Sequence, residues 1–459
     1  DLVRYFSCNA RPTGIQRLSL EIFRELNTRA AAGEAIYFCR RQPLPPYFCQ
    51  FDFPAFDAKL RITIESAAAA GRPSAGQARR KSPLWRAVKS AGLRRLSRAQ
   101  RQSAYQIRQA LRQLATGLRD FVSPASPQER LFAHNPFNAA PPVAFAAGDW
   151  LINLGSSWHM PYTQTGLDHL RGCGGSFAVL VYDMIPELFP QWTAKPTLVE
   201  FRRWLRETLP KADLLVAISK NTSADIVHCL AKTGQAVPPI ALLTLGATIP
   251  AIPPAPAPPQ SRTTPFVLLV STFEVRKNHA LMFRVWQTLL ERHGPAQIPD
   301  LVFAGKPGWL TTDLLCQFEN AGWLNGKIKF FESPTDSELA GLYRDCLFSV
   351  YPSLYEGWGL PVTESLGFGK TVAASNRASI PEAGCDFCVY FDPENIQQAV
   401  SVIEDLIRHP ERIAALERHI ALNYRPPSWA DAAESLLNAL QPAREPARAV
   451  AIQLTHQAA

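Results

Sequence analysis

Short apolar runs recur along this chain, and most end in a polar or glycine-rich turn that leads into helical periodicity. In the first half the runs are Leu2–Phe6, Ala35–Cys39, Asp149–Leu154, Phe177–Tyr182 and Ala212–Ser219. In the second half they are Phe266–Val270, Leu301–Gly305, Leu347–Tyr351 and Thr371–Ala374. Runs of this length bounded by turn residues read as buried strands. Between them, Ile15–Phe23 has the spacing of an amphipathic helix, Ser219-Lys220-Asn221-Thr222 a helix start, and Trp429–Leu440 a closing helix. Strand and helix alternating in this way predict a mostly parallel α/β sheet. The alternation is interrupted at Ile249–Arg262, a proline-dense stretch that reads as a semi-rigid connector. With 459 residues there is enough chain for two full cores. The expected organisation is a first domain over 1–248, a linker over 249–265, a second domain over 266–425, and a crossing helix with a tail over 426–459.

Charge alters this picture in one place. The chain carries a net +9, and thirteen Lys/Arg fall between Glu65 and Asp120 without one acidic residue. A basic insertion at about 66–120 therefore sets the charge of the whole chain. Its cations, among them Arg79, Arg80, Lys81, Arg94 and Arg95, alternate loosely with Trp85, Leu93, Leu96 and Tyr105. That pattern suits an anionic membrane surface, where each cation contributes about 1 kcal/mol. The competing readings are a solvated insertion and, less well supported, a nucleic-acid contact. No apolar stretch approaches the ~18–20 residues of a membrane span. The chain opens on Asp1 without a signal-peptide pattern, so its natural N-terminus is expected upstream. Nine scattered cysteines, with Cys385 and Cys388 the one close pair, read as reduced thiols of a cytoplasmic protein.

The candidate chemistry gathers in Ser349–Pro393. Two carboxylates, Glu356 and Glu364, are separated by seven residues. The first lies in a Gly/Trp loop and the second in a helix that Pro361 can open, because the first turn lacks intrahelical N–H partners anyway. Amides around Gly357, Trp358, Gly359 and Leu360 make an anion site that a ligand can approach closely. Glutamates near a helix start can also be mere dipole complements. A second cationic pair, Arg276-Lys277, sits where the strand Phe266–Val270 meets the next helix, a position suited to a diphosphate. Two fixed cations in a dry cleft stabilise a departing nucleoside diphosphate. There is no Asp-x-Asp pair, so neither a metal nor any other cofactor is expected. Asp183, which follows the strand Phe177–Tyr182, is a candidate near the reacting sugar or simply a helix cap. Gly14 and His159 are weaker candidates, a lone His being commonly structural.

These segments resemble the retaining family 4 glycosyltransferases. Glu356-x7-Glu364 is similar to that family's paired glutamates, and Glu274-Val275-Arg276-Lys277-Asn278 to its phosphate clamp, with Val275 in place of Pro. Leu301–Gly305 with Lys306, Ala212–Ser219 and Trp429 also look like family segments. The resemblance implies the GT-B fold, an α/β architecture of two Rossmann-like domains facing across a cleft, and sugar transfer with retention of anomeric configuration. It implies that Glu356 orients sugar hydroxyls, that Glu364 reaches the ribose, and that Arg276 and Lys277 hold the leaving diphosphate. Thr272 stands where many members have an additional Arg, a loss that Lys306 is positioned to offset. Tyr182-Asp183 stands where many have His-Asp.

Pro12–Arg17 and Leu154–Trp158 look like segments of bacterial surface-polysaccharide mannosyl- or rhamnosyltransferases. The expected activity is therefore transfer of a hexose or 6-deoxyhexose from a nucleotide-sugar donor to a glycan or lipid-linked glycan acceptor, at the inner face of the membrane. The alternatives are an epimerase or hydrolase of the same fold, a nonenzymatic glycan- or nucleic-acid-binding module, and a DNA-modifying glucosyltransferase.

Overall fold

The computed structural model describes residues 14–41, 47–69, 141–156, 158, 164–247, 264–308 and 311–441. The expected strand Leu2–Phe6, His159, nearly all of the 66–120 insertion and most of the 249–265 linker lie outside these residues.

Two compact units can be described. The first combines Asp1–Thr13 with Gln50–Pro141, and its described part is essentially one helix, Phe53–Ala69. Among its described side chains Phe53, Phe56 and Leu60 are buried apolar residues and Asp57 is buried beside them, with Phe53 and Phe56 ring to ring at 6.2 Å. The second unit, Gly14–Cys49 with Pro142–Ala459, contains both parallel sheets and every contact discussed below.

The chain order begins with β1 (Cys39–Arg41) and β2 (Phe48–Gln50), which form a small sheet of their own. This corrects the strand expected over Ala35–Cys39. Residues 34–38 have no ladder; Phe38 packs instead on Phe23 at 5.7 Å and Tyr37 is 77% exposed. The apolar side chains there are sequestered by a helix rather than by a sheet, a choice that composition alone does not distinguish.

A four-stranded parallel sheet follows, in the order β3 (Trp150–Asn153), β4 (Ser176–Val181), β5 (Leu214–Ala217) and β6 (Ile240–Leu242). β4 and β5 are continuous apolar runs because helices cover both faces of a parallel sheet. Ser219 caps the next helix, Lys220–Lys232, by accepting from the Thr222 N–H.

The second sheet comprises β7 (Phe266–Val270), β8 (Asp300–Gly305), β9 (Ile328–Glu332), β10 (Ser349–Tyr351), β11 (Val372–Ser375) and β12 (Cys388–Phe391). Its spatial order is β9-β8-β7-β10-β11-β12, with every recorded pairing parallel. That is the doubly wound order, and it reverses between β7 and β10. Ligands of open α/β sheets bind outside the strand C-termini at that reversal. The loops following β7 and β10 carry Arg276-Lys277 and Glu356.

The helix Trp429–Leu440 runs back to the first sheet. Trp429, Ala432, Ala433, Leu436 and Leu440 share one buried cluster with Leu18, Ile22 and Leu26 of the helix Ile15–Ala31 and with Leu180 and Val216 of the sheet. Gly246 is required at this crossing, because a side chain there would run into the Trp429 indole. Ser428 and Asp431 form a reciprocal capping box that starts the helix at the observed residue.

Candidate functional site

After β7 the chain turns through Ser271–Glu274 into a short 3-10 turn, Val275–Lys277. Asn278 then takes a left-handed conformation (φ 57°), and its side-chain amide donates to the Pro393 carbonyl at 3.0 Å. This sharp reversal starts the helix His279–His293 and leaves Arg276 and Lys277 projecting from the β7 end. Opposite them, β10 ends at Tyr351 and the Pro352–Gly359 loop brings Glu356 over the cations.

Glu356 accepts from both. Arg276 Nη1 lies 2.6 Å from one carboxylate oxygen and Lys277 Nζ 2.5 Å from the other, with the glutamate only 7% exposed. Arg276 is further held by the Tyr355 carbonyl (2.7 Å) and by Glu274 (2.6 Å). Lys277 also donates to the Tyr351 hydroxyl at 3.2 Å. Burial would push the Glu356 carboxyl up, but Arg276 and Lys277 outweigh it and hold it at about 2. Lys277 is pushed down by burial and by the Arg276 charge, against the pull of Glu356. The cluster is thus a buried network in which one carboxylate is shared by two cationic side chains.

Asp183 enters from the first sheet, immediately past β4. One of its oxygens accepts from the Ile185 N–H at 3.0 Å, so the helix-cap reading describes part of its role. It also feels the charges of Arg276, Lys277 and Glu356, and burial pushes its carboxyl up. The two sheets meet here at backbone distance: a Cβ on Gly357 would overlap the Tyr182 carbonyl oxygen. Gly359 is constrained differently, by a φ of 121° that precedes the helix Leu360–Gly367. Pro361 stands in the first turn of that helix, as its sequence position predicts. Trp358 is half-buried, and its indole N–H has no partner among the described residues.

Glu364 is buried one turn into the same helix. It accepts from Arg17 Nη1 at 3.2 Å and from the Tyr343 hydroxyl at 2.9 Å. Burial pushes its carboxyl up, opposed by Arg17. Gly14 stands at the N-cap of the helix carrying Arg17, with φ 52°. Thr272 and Lys306 lie in the loops that follow β7 and β8. The Lys306 carbonyl accepts from the Phe273 N–H at 2.8 Å, and Gly308 is kept small by Thr272 and the Phe273 carbonyl.

The structure thus unites Glu356, Arg276, Lys277 and Asp183 around one point, with Gly357 against them and Glu364 in the next turn. The Glu356 carboxylate is held by Arg276 and Lys277, and His159 lies outside the described residues. The sequence reading assigned no role to Arg17, Glu274 or Tyr343. Glu274 lies in the clamp-like segment and Arg17 in the segment Pro12–Arg17, whereas nothing in the sequence points to Tyr343; the pairing of Arg17 with Glu364 joins residues distant in the chain.

Residues 256–421 match the family model described as Glycosyl transferases group 1. Over 326 residues the chain is 28% identical to the serotype-specific mannosyltransferase WbdA of Escherichia coli, covering 68% of this chain and 39% of that protein. It is 27% identical over 255 residues to the O-antigen chain mannosyltransferase B of Escherichia coli, covering 54% of this chain and 66% of that one. The matched region therefore spans well under half the length of WbdA. Among solved structures, an alpha,alpha-trehalose-phosphate synthase from Burkholderia xenovorans aligns at a TM-score of 0.49 with 14% identity, over 64% of this chain and 72% of that one.

Proposed function

We infer that this chain, a relative of the group 1 glycosyl transferases, transfers a hexose, with mannose favoured and rhamnose the alternative, from a nucleoside-diphosphate sugar to a glycan acceptor in surface-polysaccharide synthesis. The observation that carries this reading is the Glu356–Arg276–Lys277 cluster at the reversal point of the second sheet. The three groups neutralise each other. A donor changes the partners: its diphosphate draws Arg276 and Lys277, and Glu356 is released to accept from sugar hydroxyls. Glu364 does the same for ribose hydroxyls, and Arg17 is displaced or redirected. The amides around Gly357–Leu360 add neutral donors to the phosphates.

The leaving diphosphate gains negative charge as the glycosidic bond breaks. Arg276 and Lys277 are already fixed and desolvated, so they stabilise that charge without reorganisation. Transfer proceeds with retention and without a metal, the released phosphate oxygen taking the acceptor's proton on the same face. Asp183 lines the acceptor side and orients the incoming hydroxyl. Neither Glu356 nor Asp183 is required as a nucleophile.

Among the described residues, no helix is long and apolar enough to cross a membrane. The basic segment 66–120 supplies the contact with an anionic membrane surface that a lipid-linked acceptor calls for. Sedimentation with vesicles checks this part: binding to anionic but not neutral vesicles supports it, and equal binding removes the electrostatic argument. For the donor site, titration with GDP, UDP, dTDP and ADP without metal is the test. Binding of one nucleotide, lost in Arg276→Ala, supports the reading; no binding to any of them overturns it.

A further inference from the structure

The segment leaving Asp183 builds a feature that the donor chemistry does not use. The short helix Ile185–Leu188 is followed by a 3-10 turn, Pro190–Trp192, in which the Trp192 N–H donates to the Phe189 carbonyl at 3.1 Å. That turn folds the indole back over Phe189, with ring centroids 4.5 Å apart and planes only 20° from parallel. Phe189 in turn lies 4.8 Å from the Tyr355 ring, the residue immediately before Glu356. Three aromatic rings therefore stand in a row, Trp192 and Phe189 from the segment after β4 and Tyr355 from the loop after β10.

Packing alone does not account for them. Phe189 and Trp192 belong to none of the buried apolar clusters, and both are half-buried. Polar groups stand beside the row. The Tyr355 hydroxyl donates to Asp225 at 2.9 Å, and Asn221 Nδ2 donates to Asp225 and to the Tyr355 oxygen at 3.0 Å each. Asp225 lies within the field of Asp183. Two neighbouring carboxylates repel an anionic ligand. Aromatic faces beside a carboxylate and a carboxamide suit a neutral polyhydroxylated ring, whose C–H face stacks while adjacent hydroxyls donate and accept.

We propose that Trp192, Phe189 and Tyr355, with Asp225 and Asn221, form the subsite for a neutral sugar ring of the glycan acceptor. The proposal rests on the glycosyltransferase reading and specifies how its acceptor is held. Tyr355 immediately precedes Glu356, so a ring stacked on the row lies beside the reacting cluster. Acceptor binding then draws on Phe189, Trp192, Asn221 and Asp225 beside the first sheet and on Tyr355 beside the second.

The test is calorimetric titration of the purified chain with an α-linked mannotriose, beside titration with the nucleoside diphosphates. Trp192→Ala and Asp225→Asn are each expected to weaken mannotriose binding by about tenfold or more, with nucleotide affinity unchanged. Trp192→Phe, which keeps an aromatic face, is expected to recover most of the loss. Unchanged mannotriose affinity in both variants, or no mannotriose binding by the wild type, overturns the subsite while nucleotide binding persists. Absence of nucleotide binding from the wild type overturns instead the donor reading beneath it.

Discussion

Replacing Glu356 by Gln separates two roles that a simple loss-of-function variant confounds. The carboxylate is 7% exposed and bonded to Arg276 at 2.6 Å and Lys277 at 2.5 Å. Arg276 and Lys277 hold its carboxyl well below the usual glutamate range, at about 2, which corresponds to about 3 kcal/mol of stabilisation. The amide preserves shape and one acceptor, and Glu274 continues to hold Arg276. A loss of about 3 kcal/mol in unfolding free energy is therefore expected at neutral pH. The sign with pH follows from the depressed carboxyl. Stability from Glu356 is fully present above the ordinary glutamate range and is lost as pH falls toward about 2, so the gap between wild type and variant narrows over that interval.

Binding moves the other way. A bare nucleoside diphosphate has no sugar for Glu356 to contact, yet in the wild type it must compete with that carboxylate for both cations. Glu356→Gln should bind the bare diphosphate more tightly, by about tenfold, while sugar transfer falls by about a hundredfold or more. Calorimetry with the nucleotide and a coupled assay of diphosphate release read the two effects separately. Nucleotide binding weakened in Glu356→Gln as much as in Lys277→Ala would refute the reasoning.

Other substitutions test the remaining parts. Lys277→Ala and Arg276→Ala should each weaken nucleotide binding by about 10- to 100-fold, the loss of one charge-assisted contact, as measured by the same titrations. Arg17→Met should uncover Glu364 and leave a buried carboxylate facing only Tyr343, lowering the thermal midpoint at neutral pH more than at pH 4, where that acid, raised by burial, protonates more readily. Gly357→Ala forces a methyl group onto the Tyr182 carbonyl, so it should reduce transfer even though it removes no polar group; unchanged turnover would show that the two sheets approach less closely than observed. Burial raises the Asp225 carboxyl to about 6, so the folded state retains a proton that the unfolded chain releases. Relative to Asp225→Asn, the wild type should therefore lose stability as pH rises from about 4 to about 6, read by denaturant unfolding across that range.

How legible these features are in the sequence depends on how local their causes are. Strands such as β4, β5, β7 and β8 are buried on both faces and so read as continuous apolar runs, found within a residue or two. The helix starts at Ser219, Pro361 and Trp429 were equally legible, since capping and proline chemistry act within one turn. The strand over Ala35–Cys39 misled because its apolar residues satisfy a helix contact, and a two-stranded pairing began only at Cys39. In the site, the residue types and order revealed the Glu356 and Arg276-Lys277 segments. What the sequence did not reveal was their mutual neutralisation, or that Arg17 closes on Glu364 across 347 positions of chain. The aromatic row was hidden for a related reason. Phe189 and Trp192 look like ordinary apolar residues until the Pro190 turn stacks them and the other sheet supplies Tyr355.

The central claim is transfer of a sugar from a nucleotide donor to a glycan. Its most direct measurement is proton NMR of the purified chain with GDP-mannose and an α-linked mannotriose, without metal, following diphosphate release and the anomeric signal of any new linkage. The account predicts release that depends on the oligosaccharide, a new α-anomeric signal matching the donor configuration, and loss of both in Lys277→Ala. Release at the same rate without the oligosaccharide, or a β-configured product, would contradict it.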